Sequence, residues 1–244
     1  YCPVKIGATP DEIKAYKAEA KKAGIIISEV GAWSNPIDPD SVKSKAAIDK
    51  CIRSLVLADE IGANCCVNIS GSRNPENWAG PHEDNLTADT FDLIVETTRK
   101  IIDAVKPVRT FYALETMPWS YPDSVDSYEK LLKAIDRKGF AVHFDPVNLV
   151  VSPQIYYRNG EMIKEAFKRL GRFIKSCHAK DILLLDDKLT PHLPEIRAGL
   201  GNLNYSVYLN ELSRLKNVPL MMEHLKSAEE YELAAKYIRK VAAE

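Results

Sequence analysis

Amphipathic segments and short apolar runs alternate along the whole chain, and this pattern predicts helices and strands in turn. The predicted helices cover residues 8–24, 41–62, 87–106, 124–138, 159–171, 205–216 and 227–242. The predicted strands cover residues 25–33, 63–70, 111–117, 140–146, 173–181 and 218–224. Strands that alternate with helices indicate a parallel sheet with helical crossovers. The strands are apolar on both faces, as expected where helices cover the sheet.

Polar residues cluster directly after these strands, at what becomes one edge of a parallel sheet. In a closed (β/α) barrel that edge is the functional face, whereas residues from distant strands of an open sheet do not meet at one point. The distribution over six strands therefore favours an α/β fold of the TIM (β/α)8 type. No low-complexity linker interrupts the pattern, so residues 1–244 are predicted to form a single domain.

The number of predicted strands is smaller than a full barrel requires. A complete barrel of this kind has eight strands, and the pattern supplies six. We expect the first two strands and one helix to be missing at the N-terminal side, through truncation or disorder. The alternative is a genuinely incomplete barrel that a partner closes.

Four polar residues lie at the ends of four apolar runs: Glu115, Asp145, His178 and Glu223. Taken singly, each has an ordinary explanation, such as a salt bridge, a turn cap or a core histidine. Burying a charged group on an apolar strand is costly without a partner, and converging carboxylates repel one another unless a cation lies among them. The four residues together therefore predict a divalent metal site. An oxygen-rich set with one imidazole favours Mn²⁺, with Mg²⁺, Co²⁺ or Zn²⁺ as alternatives.

Two further polar residues share the inward faces of the ligand strands. Lys180 lies two residues after His178 and further out, where it is expected to meet a hydroxyl-rich or anionic ligand, although a surface lysine is the alternative. His143 lies two residues before Asp145, so both side chains point inward with His143 one layer deeper. We expect His143 to support a ligand residue or to contact the substrate.

Aromatic residues near strand ends suggest a surface for a sugar ring. Trp33 and Trp119 follow strands and are expected either to stack on a sugar or to pack in the core. The polar loop 71–85 is long enough to act as a lid, with a mobile linker as the alternative. Its candidate residues are Arg73, Trp78 and His82.

The composition excludes several classes of partner. Hydrophobic residues make up 45% of the chain and charged residues 27%, with a formal net charge of −1, so neither nucleic acid nor a membrane is an expected partner. No run approaches the roughly 18 apolar residues that span a bilayer, and the N-terminal residues lack the layout of a signal peptide.

The cysteines indicate a reducing compartment. They are Cys2, Cys51, Cys65, Cys66 and Cys177. Their number is odd, three lie in strand-like runs, and no CxxC motif occurs, so we expect reduced core thiols rather than disulfides or a zinc-thiolate site. These observations predict a cytoplasmic protein.

Five short motifs occur in order along the chain, each in a strand or loop: LET (114–116), HFDPVN (143–148), CHAKD (177–181), AGLGNLNY (198–205) and MMEHL (221–225). In order and context they resemble the xylose isomerase-like TIM barrels, also called the sugar phosphate isomerase/epimerase superfamily. The resemblance covers nearly the whole chain and implies that the first two strands of the family barrel are the absent ones.

The resemblance also implies roles for the site residues. Ketose 3-epimerases of this superfamily hold the metal with residues that correspond to Glu115, Asp145, His178 and Glu223. The two glutamates face opposite sides of the substrate carbon, where one removes a proton and the other returns it.

The chain departs from those epimerases at two places. Asn148 stands where they have a substrate-binding His, and Leu183–Leu185 stand where they have an Arg. Lys180 or Arg197 is expected to replace that Arg, so Asn148, Lys180 and Arg197 are the expected substrate contacts.

The sequence thus predicts a metal-dependent isomerase or epimerase of a sugar, a sugar phosphate or a small polyol, working through an enediolate with Glu115 and Glu223 as the acid and base. A lyase at the same site is an alternative, either an inosose dehydratase or an enzyme that cleaves a C-glycoside link after oxidation. An endonuclease IV-like hydrolase is disfavoured, because such sites use many histidines and the chain has five. A non-catalytic sugar-binding or assembly protein is the alternative from another class, and association into a homo-oligomer stays open.

Overall fold

The computed structural model describes residues 4–244, so Cys2 lies outside the described residues. In that part the strands are β1 (Glu29–Gly31), β2 (Cys65–Asn68), β3 (Tyr112–Glu115), β4 (Phe140–Phe144), β5 (Ile174–Ala179), β6 (Asp181–Ile182), β7 (Glu195–Ile196) and β8 (Leu220–Met222). Strands β6 and β7 form an antiparallel pair, and the other six form one parallel sheet in the order β1-β2-β3-β4-β5-β8. All six predicted strands are present, and each is shorter than its apolar run.

Helices cover the outer face of the sheet. They are α1 (Pro10–Lys22), α2 (Ser41–Ile61), α3 (Ala88–Val105), α4 (Val125–Ile135), α5 (Pro153–Tyr157), α6 (Asn159–Leu170), α7 (Tyr205–Ser213) and α8 (Ala228–Ala242). The seven predicted helices are confirmed, and the five-residue α5 is additional. Apart from α5, consecutive helices pack against one another around the sheet. None of the described helices is long and apolar enough to cross a membrane.

The sheet is strongly curled, and the evidence for this is that side chains of distant strands meet inside it. Ser176 on β5 donates a hydrogen bond of 3.2 Å to Glu29 on β1, although three strands separate β5 from β1 in the sheet. The Ser176 hydroxyl also lies 3.1 Å from the Cys65 thiol on β2. Within residues 4–244 no hydrogen-bonded pairing joins β1 to β8, so the barrel is open on that side. The predicted TIM-type fold is therefore confirmed as an open barrel of six parallel strands, while its division into domains stays a prediction.

The middle strands are the most deeply buried part of the barrel. Every residue of β2, β3 and β4 is buried, whereas all three residues of β8 are half-buried. Tyr128 of α4 links two of these strands, because its buried hydroxyl lies against the carbonyl oxygens of Leu114 and Ala141. The strands that carry the predicted ligands Glu115 and Asp145 are thus tied together from outside.

The four cysteines in the described part of the chain are buried free thiols, as predicted: Cys51, Cys65, Cys66 and Cys177. Burial is the main reason that their pKa values are raised, and it raises the pKa of Cys177 to about 12. These thiols therefore stay protonated near neutral pH and act as small apolar core residues.

The segment between the predicted strand 173–181 and the predicted helix 205–216 shows no periodic pattern in the sequence and is therefore a predicted loop. It is more ordered than this prediction indicates, because β7 within it pairs with β6 at its start. Asp181 holds the far end of this segment through hydrogen bonds from backbone N–H groups. Its Oδ2 accepts from Gly199 at 2.9 Å and Gly201 at 3.1 Å, and its Oδ1 accepts from Leu203 at 2.9 Å. Gly201 is required at this point, because a Cβ there would lie 2.3 Å from the Ile182 carbonyl oxygen.

Replacing Asp181 is expected to destabilise the protein. In Asp181→Asn one side-chain oxygen becomes an NH₂ group, which cannot accept from the N–H groups of Gly199 and Gly201. The Asp181 carboxylate is buried, and a hydrogen bond to a charged group contributes about 1.5–3 kcal/mol, so we expect urea unfolding to report a loss of about 3 kcal/mol. Asp186→Asn, an exposed residue of the same segment, is the matched control and should change the unfolding free energy by less than about 0.5 kcal/mol. Equal stability of the two variants would contradict this role of Asp181.

Candidate metal centre and cavity

The four predicted ligands come from four strands of the sheet and converge at one end of the barrel. Glu115 ends β3, Asp145 follows β4, His178 lies in β5 and Glu223 follows β8. One ligand atom from each lies within 4.8 Å of the others. Glu115, Asp145 and His178 are buried, and Glu223 is half-buried. The barrel thus gathers side chains that are far apart in the sequence.

The imidazole of His178 lies at the centre of this group. Its Nδ1 is 2.9 Å from Glu223 Oε1, 3.1 Å from Glu115 Oε1 and 3.6 Å from Asp145 Oδ2. Burial by itself lowers the pKa of His178, but the surrounding carboxylates outweigh burial and raise that pKa far above its ordinary value. The geometry therefore stabilises positive charge at the position that His178 Nδ1 faces.

Local hydrogen bonds fix the direction of the Asp145 carboxylate. Its Oδ1 accepts from the Val147 backbone N–H at 3.0 Å. The Thr116 hydroxyl donates to the Asp145 carbonyl at 2.7 Å and accepts from the Asp145 N–H at 3.2 Å. With Oδ1 and the backbone occupied, Oδ2 is the oxygen that faces the centre of the cluster.

Asn148 fixes the direction of the Glu115 carboxylate. Its Nδ2 donates to Glu115 Oε1 at 3.2 Å and to the Thr116 carbonyl at 2.9 Å. Its Oδ1 accepts from the Lys180 ammonium at 3.1 Å. Asn148 therefore connects the end of β3 to the end of β5.

Lys180 is surrounded by acceptors. Its Nζ lies 2.7 Å from Asp145 Oδ2, 3.0 Å from Glu223 Oε1 and 3.1 Å from Glu195 Oε2. Burial by itself lowers the pKa of Lys180, but the carboxylates raise it above its ordinary value. Lys180 is therefore a permanent cation whose charge is already neutralised by its neighbours.

The cluster nevertheless has an excess of negative charge and unused lone pairs. The carboxylates around His178 and Lys180 are those of Glu29, Glu115, Asp145, Glu195 and Glu223. Asp145 Oδ2 and Glu223 Oε1 are buried and share the single Lys180 ammonium, at 2.7 and 3.0 Å. Neither oxygen receives a hydrogen bond of acceptable geometry among the described residues. Buried oxygens in this state are costly unless a further cation or donor takes their remaining lone pairs. The donor set of three carboxylates and one imidazole therefore fits a divalent cation.

A cavity of about 600 Å³ opens above this cluster. Its floor is polar and includes Glu115 and Glu223. Its walls include all the tryptophans of the chain, which are Trp33, Trp78 and Trp119. A volume in this range, with polar groups at one end and aromatic walls, is typical of small-molecule sites.

Two local features set the orientation of the tryptophans. The Trp119 indole N–H donates to the Ala79 carbonyl at 2.8 Å, which joins the segment after β3 to the loop after β2. Trp33 lies directly over Gly31, where an added Cβ would be 2.2 Å from the Trp33 indole nitrogen. The absence of a side chain at Gly31 therefore makes room for the ring.

Of the predicted substrate contacts, Lys180, Asn148, Trp33 and Trp119 line the cavity, whereas Arg197 and His143 do not. The Arg197 guanidinium instead donates to the Ala198 carbonyl at 3.1 Å. His143 is fully buried one layer below, with its ring centroid 4.1 Å from that of His178. Arg197 is thus kept from the cavity by its bond to the neighbouring backbone, and His143 is kept from it because it lies beneath the carboxylate cluster.

The loop 71–85 contributes to the cavity differently from the prediction. Trp78 lines the cavity, but Arg73 and His82 do not. Arg73 Nη1 donates to the Ile37 carbonyl at 2.5 Å, and His82 Nδ1 accepts from the Asp84 N–H. The buried Ser72 hydroxyl also donates to the Gly80 carbonyl at 2.7 Å. Hydrogen bonds within the loop and to Ile37 therefore hold this loop as a wall of the cavity.

Sequence reasoning missed two polar residues at the cavity mouth. Glu195 on β7 binds Lys180, and its other oxygen lies 2.9 Å from His224 Nδ1. The sequence signal that could have identified His224 is its position directly after Glu223, a predicted ligand. Glu195 lies in a predicted loop with no periodic pattern, and only the hairpin brings it back to the barrel.

Comparisons with known proteins agree with this architecture. A family model described as xylose isomerase-like TIM barrel matches residues 5–241. A probable 3-DHS dehydratase involved in petrobactin synthesis in Bacillus anthracis is 16% identical, with a TM-score of 0.69 over 93% of this chain and 81% of that chain. A xylose isomerase-like TIM barrel protein from Mycobacterium smegmatis, solved in complex with magnesium, is 17% identical, with a TM-score of 0.68 over 96% and 80%.

A D-psicose 3-epimerase solved in the presence of D-fructose is 14% identical, with a TM-score of 0.67 over 98% of this chain and 86% of that chain. No curated protein matches the sequence significantly. At these identities the structural likeness establishes the fold and leaves the reaction to be argued from the site.

Divalent ions are expected to stabilise the protein after treatment with EDTA, because only the folded state assembles the four ligands. With Mn²⁺ or Mg²⁺ at about 100 times its Kd, the gain is about 2.7 kcal/mol, which corresponds to a rise in Tm of about 5–10 °C for a chain of this size. We expect Asp145→Asn to abolish this rise in a thermal unfolding assay. The matched control is Asp92→Asn on the exposed face of α3, and a normal rise in Asp145→Asn would contradict the metal assignment.

Proposed function

Because the chain belongs to the xylose isomerase-like TIM-barrel family, we propose that it is a divalent-metal-dependent epimerase or isomerase of a small, uncharged sugar or polyol. The observation that carries this proposal is the convergence of Glu115, Asp145, His178 and Glu223 beneath the tryptophan-lined cavity. The three carboxylates and one imidazole suit Mn²⁺ or Mg²⁺. A bound ion would act as a Lewis acid toward a substrate carbonyl.

Glu115 and Glu223 are the proposed acid and base. Both line the cavity. The Asn148 amide donates a hydrogen bond to Glu115, and the Lys180 ammonium lies 3.0 Å from Glu223. One carboxylate takes the proton from the carbon next to the carbonyl, and the electron pair moves onto the carbonyl oxygen to give an enediolate. The other glutamate, in its protonated form, gives its proton to the opposite face of that carbon as the electron pair returns from the oxygen. This glutamate is left as a carboxylate, and the configuration inverts without a change in composition.

The charges around the cavity favour an uncharged substrate. Among the residues that line the cavity, the lysine is Lys180. Its ammonium is already surrounded by three carboxylates and the Asn148 oxygen. A phosphate group would therefore meet carboxylates without gaining a free cation. The tryptophan faces instead suit the C–H face of a sugar ring, while Asn148 and Lys180 lie where hydroxyl groups would reach the floor.

Lyase chemistry is the second candidate function. Proton removal next to a carbonyl is also the first step of water loss, and one structural neighbour of the chain is a probable dehydratase. The two reactions diverge only after the enediolate forms. Identification of the product, as an epimer or as a dehydrated compound, separates them.

The acid and base roles predict exchange of a carbon-bound proton with solvent. In D₂O with Mn²⁺, we expect the protein to incorporate deuterium into a ketose such as D-fructose, D-psicose or D-tagatose, as followed by NMR. Glu223→Gln should slow incorporation by about 10²–10⁴-fold, which is the usual contribution of a general acid or base. Glu96→Gln, exposed on α3, is the matched control.

Chelation with EDTA should remove the activity, and readdition of Mn²⁺ should restore it. Phosphorylated ketoses should react more slowly than the free sugars. Full exchange in EDTA, or unchanged exchange in Glu223→Gln, would count against the proposed mechanism. Sugar binding without exchange in any of the tested sugars would favour the non-catalytic alternative.

A further inference from the structure

His178 faces carboxylates on both of its ring nitrogens. Its Nδ1 points to the three other proposed ligands, as described above. Its Nε2 lies 3.7 Å from Glu29 Oε1, on the opposite side of the ring. Among the described residues, Glu29 is the carboxylate within 4 Å of Nε2. A histidine that binds a metal through one nitrogen carries a hydrogen on the other, so the partner of that second nitrogen decides which one is free to bind.

Glu29 is itself held in place by side chains of β4 and β5. Its Oε2 accepts a hydrogen bond from Ser176 Oγ at 3.2 Å and lies 3.3 Å from His143 Nδ1. Ser176 Oγ is in turn 2.5 Å from His143 Nδ1. The two oxygens of one carboxylate are thus divided between two imidazoles, with Oε1 toward His178 and Oε2 toward His143.

The His143 ring restricts the His178 ring as well. The two rings meet edge to face, with an interplanar angle of 72°. His143 is completely buried, so its ring has no solvent into which it could turn. Rotation of the His178 ring would therefore break its approach to Glu29 and collide with His143.

We propose that Glu29 is a positioning residue that keeps the hydrogen of His178 on Nε2 and so presents a bare Nδ1 to the metal. This inference rests on the proposed metal site and extends it to a residue on the far side of the histidine. It also assigns a function to β1, because Glu29 is the first residue of that edge strand. Carboxylate partners of metal-binding histidines typically contribute 10- to 100-fold to metal affinity.

The position of Glu29 makes the inference testable by substitution. Its side chain is 16% exposed and borders a second cavity, of about 580 Å³, between β1 and β8. A shorter side chain there leaves space that is continuous with this cavity instead of an enclosed void. Ser28 lines the same cavity and provides a matched control.

The first measurement is the Kd for Mg²⁺, obtained by calorimetric titration of protein stripped with EDTA. We expect Glu29→Ala to weaken binding by about 10- to 100-fold and Ser28→Ala to leave it unchanged. Glu29→Gln keeps the shape of the side chain and one acceptor oxygen, so it should show a smaller loss in the same direction. That variant keeps the test decisive if Glu29→Ala does not fold.

The second measurement is the tautomer of His178, read from ¹⁵N imidazole shifts of the Mg²⁺-loaded protein. We expect hydrogen on Nε2 in the wild type and loss of this single form in Glu29→Ala, a change that a purely structural role would not cause. Hydrogen on Nδ1 in the wild type, or equal Mg²⁺ affinity in wild type and both Glu29 variants, overturns this inference alone. Absence of Mg²⁺ and Mn²⁺ binding by the wild type overturns the proposed function together with it.

Discussion

The concentration of carboxylates around one buried imidazole is the constraint on which the rest of this barrel depends. Glu29, Glu115, Asp145 and Glu223 all approach His178 within 4 Å. Removing so many charges from water is costly unless each has a partner and a fixed geometry. Much of the surrounding structure supplies these partners. The Lys180 ammonium pairs with two of the carboxylates, the Val147 N–H binds one oxygen of Asp145, and the Asn148 amide binds one oxygen of Glu115.

Most of the fold and the proposed ligands were predictable from the sequence because both leave local signals. Apolar runs that alternate with amphipathic segments predict the strands and helices, and a charged residue such as Asp145 or His178 at the end of an apolar run is conspicuous. Glu29 gave no such signal, since it lies within a run in which polar and apolar residues are mixed. Its importance follows only from the curl of the sheet, which brings β1 to β5.

The residues at the cavity mouth were harder to predict for a different reason. The β6–β7 hairpin has strands of two residues each, too short for any periodic pattern. Its path depends on the Asp181 carboxylate, which binds backbone groups some 20 residues further along the chain. This path brings Glu195 to Lys180 and turns Arg197 away from the cavity. Sequence position alone does not indicate which of these two residues reaches the cavity.

The aromatic wall of the cavity is also the source of the protein's tryptophan fluorescence. All the tryptophans of the chain border this one cavity, and each is about two-fifths exposed: Trp33 at 37%, Trp78 at 44% and Trp119 at 40%. The tryptophan fluorescence of the protein therefore comes entirely from the cavity wall, because the chain has no tryptophan elsewhere. The molecule contains its own optical reporter, whose intensity and colour follow the water content of the space directly above the carboxylate cluster.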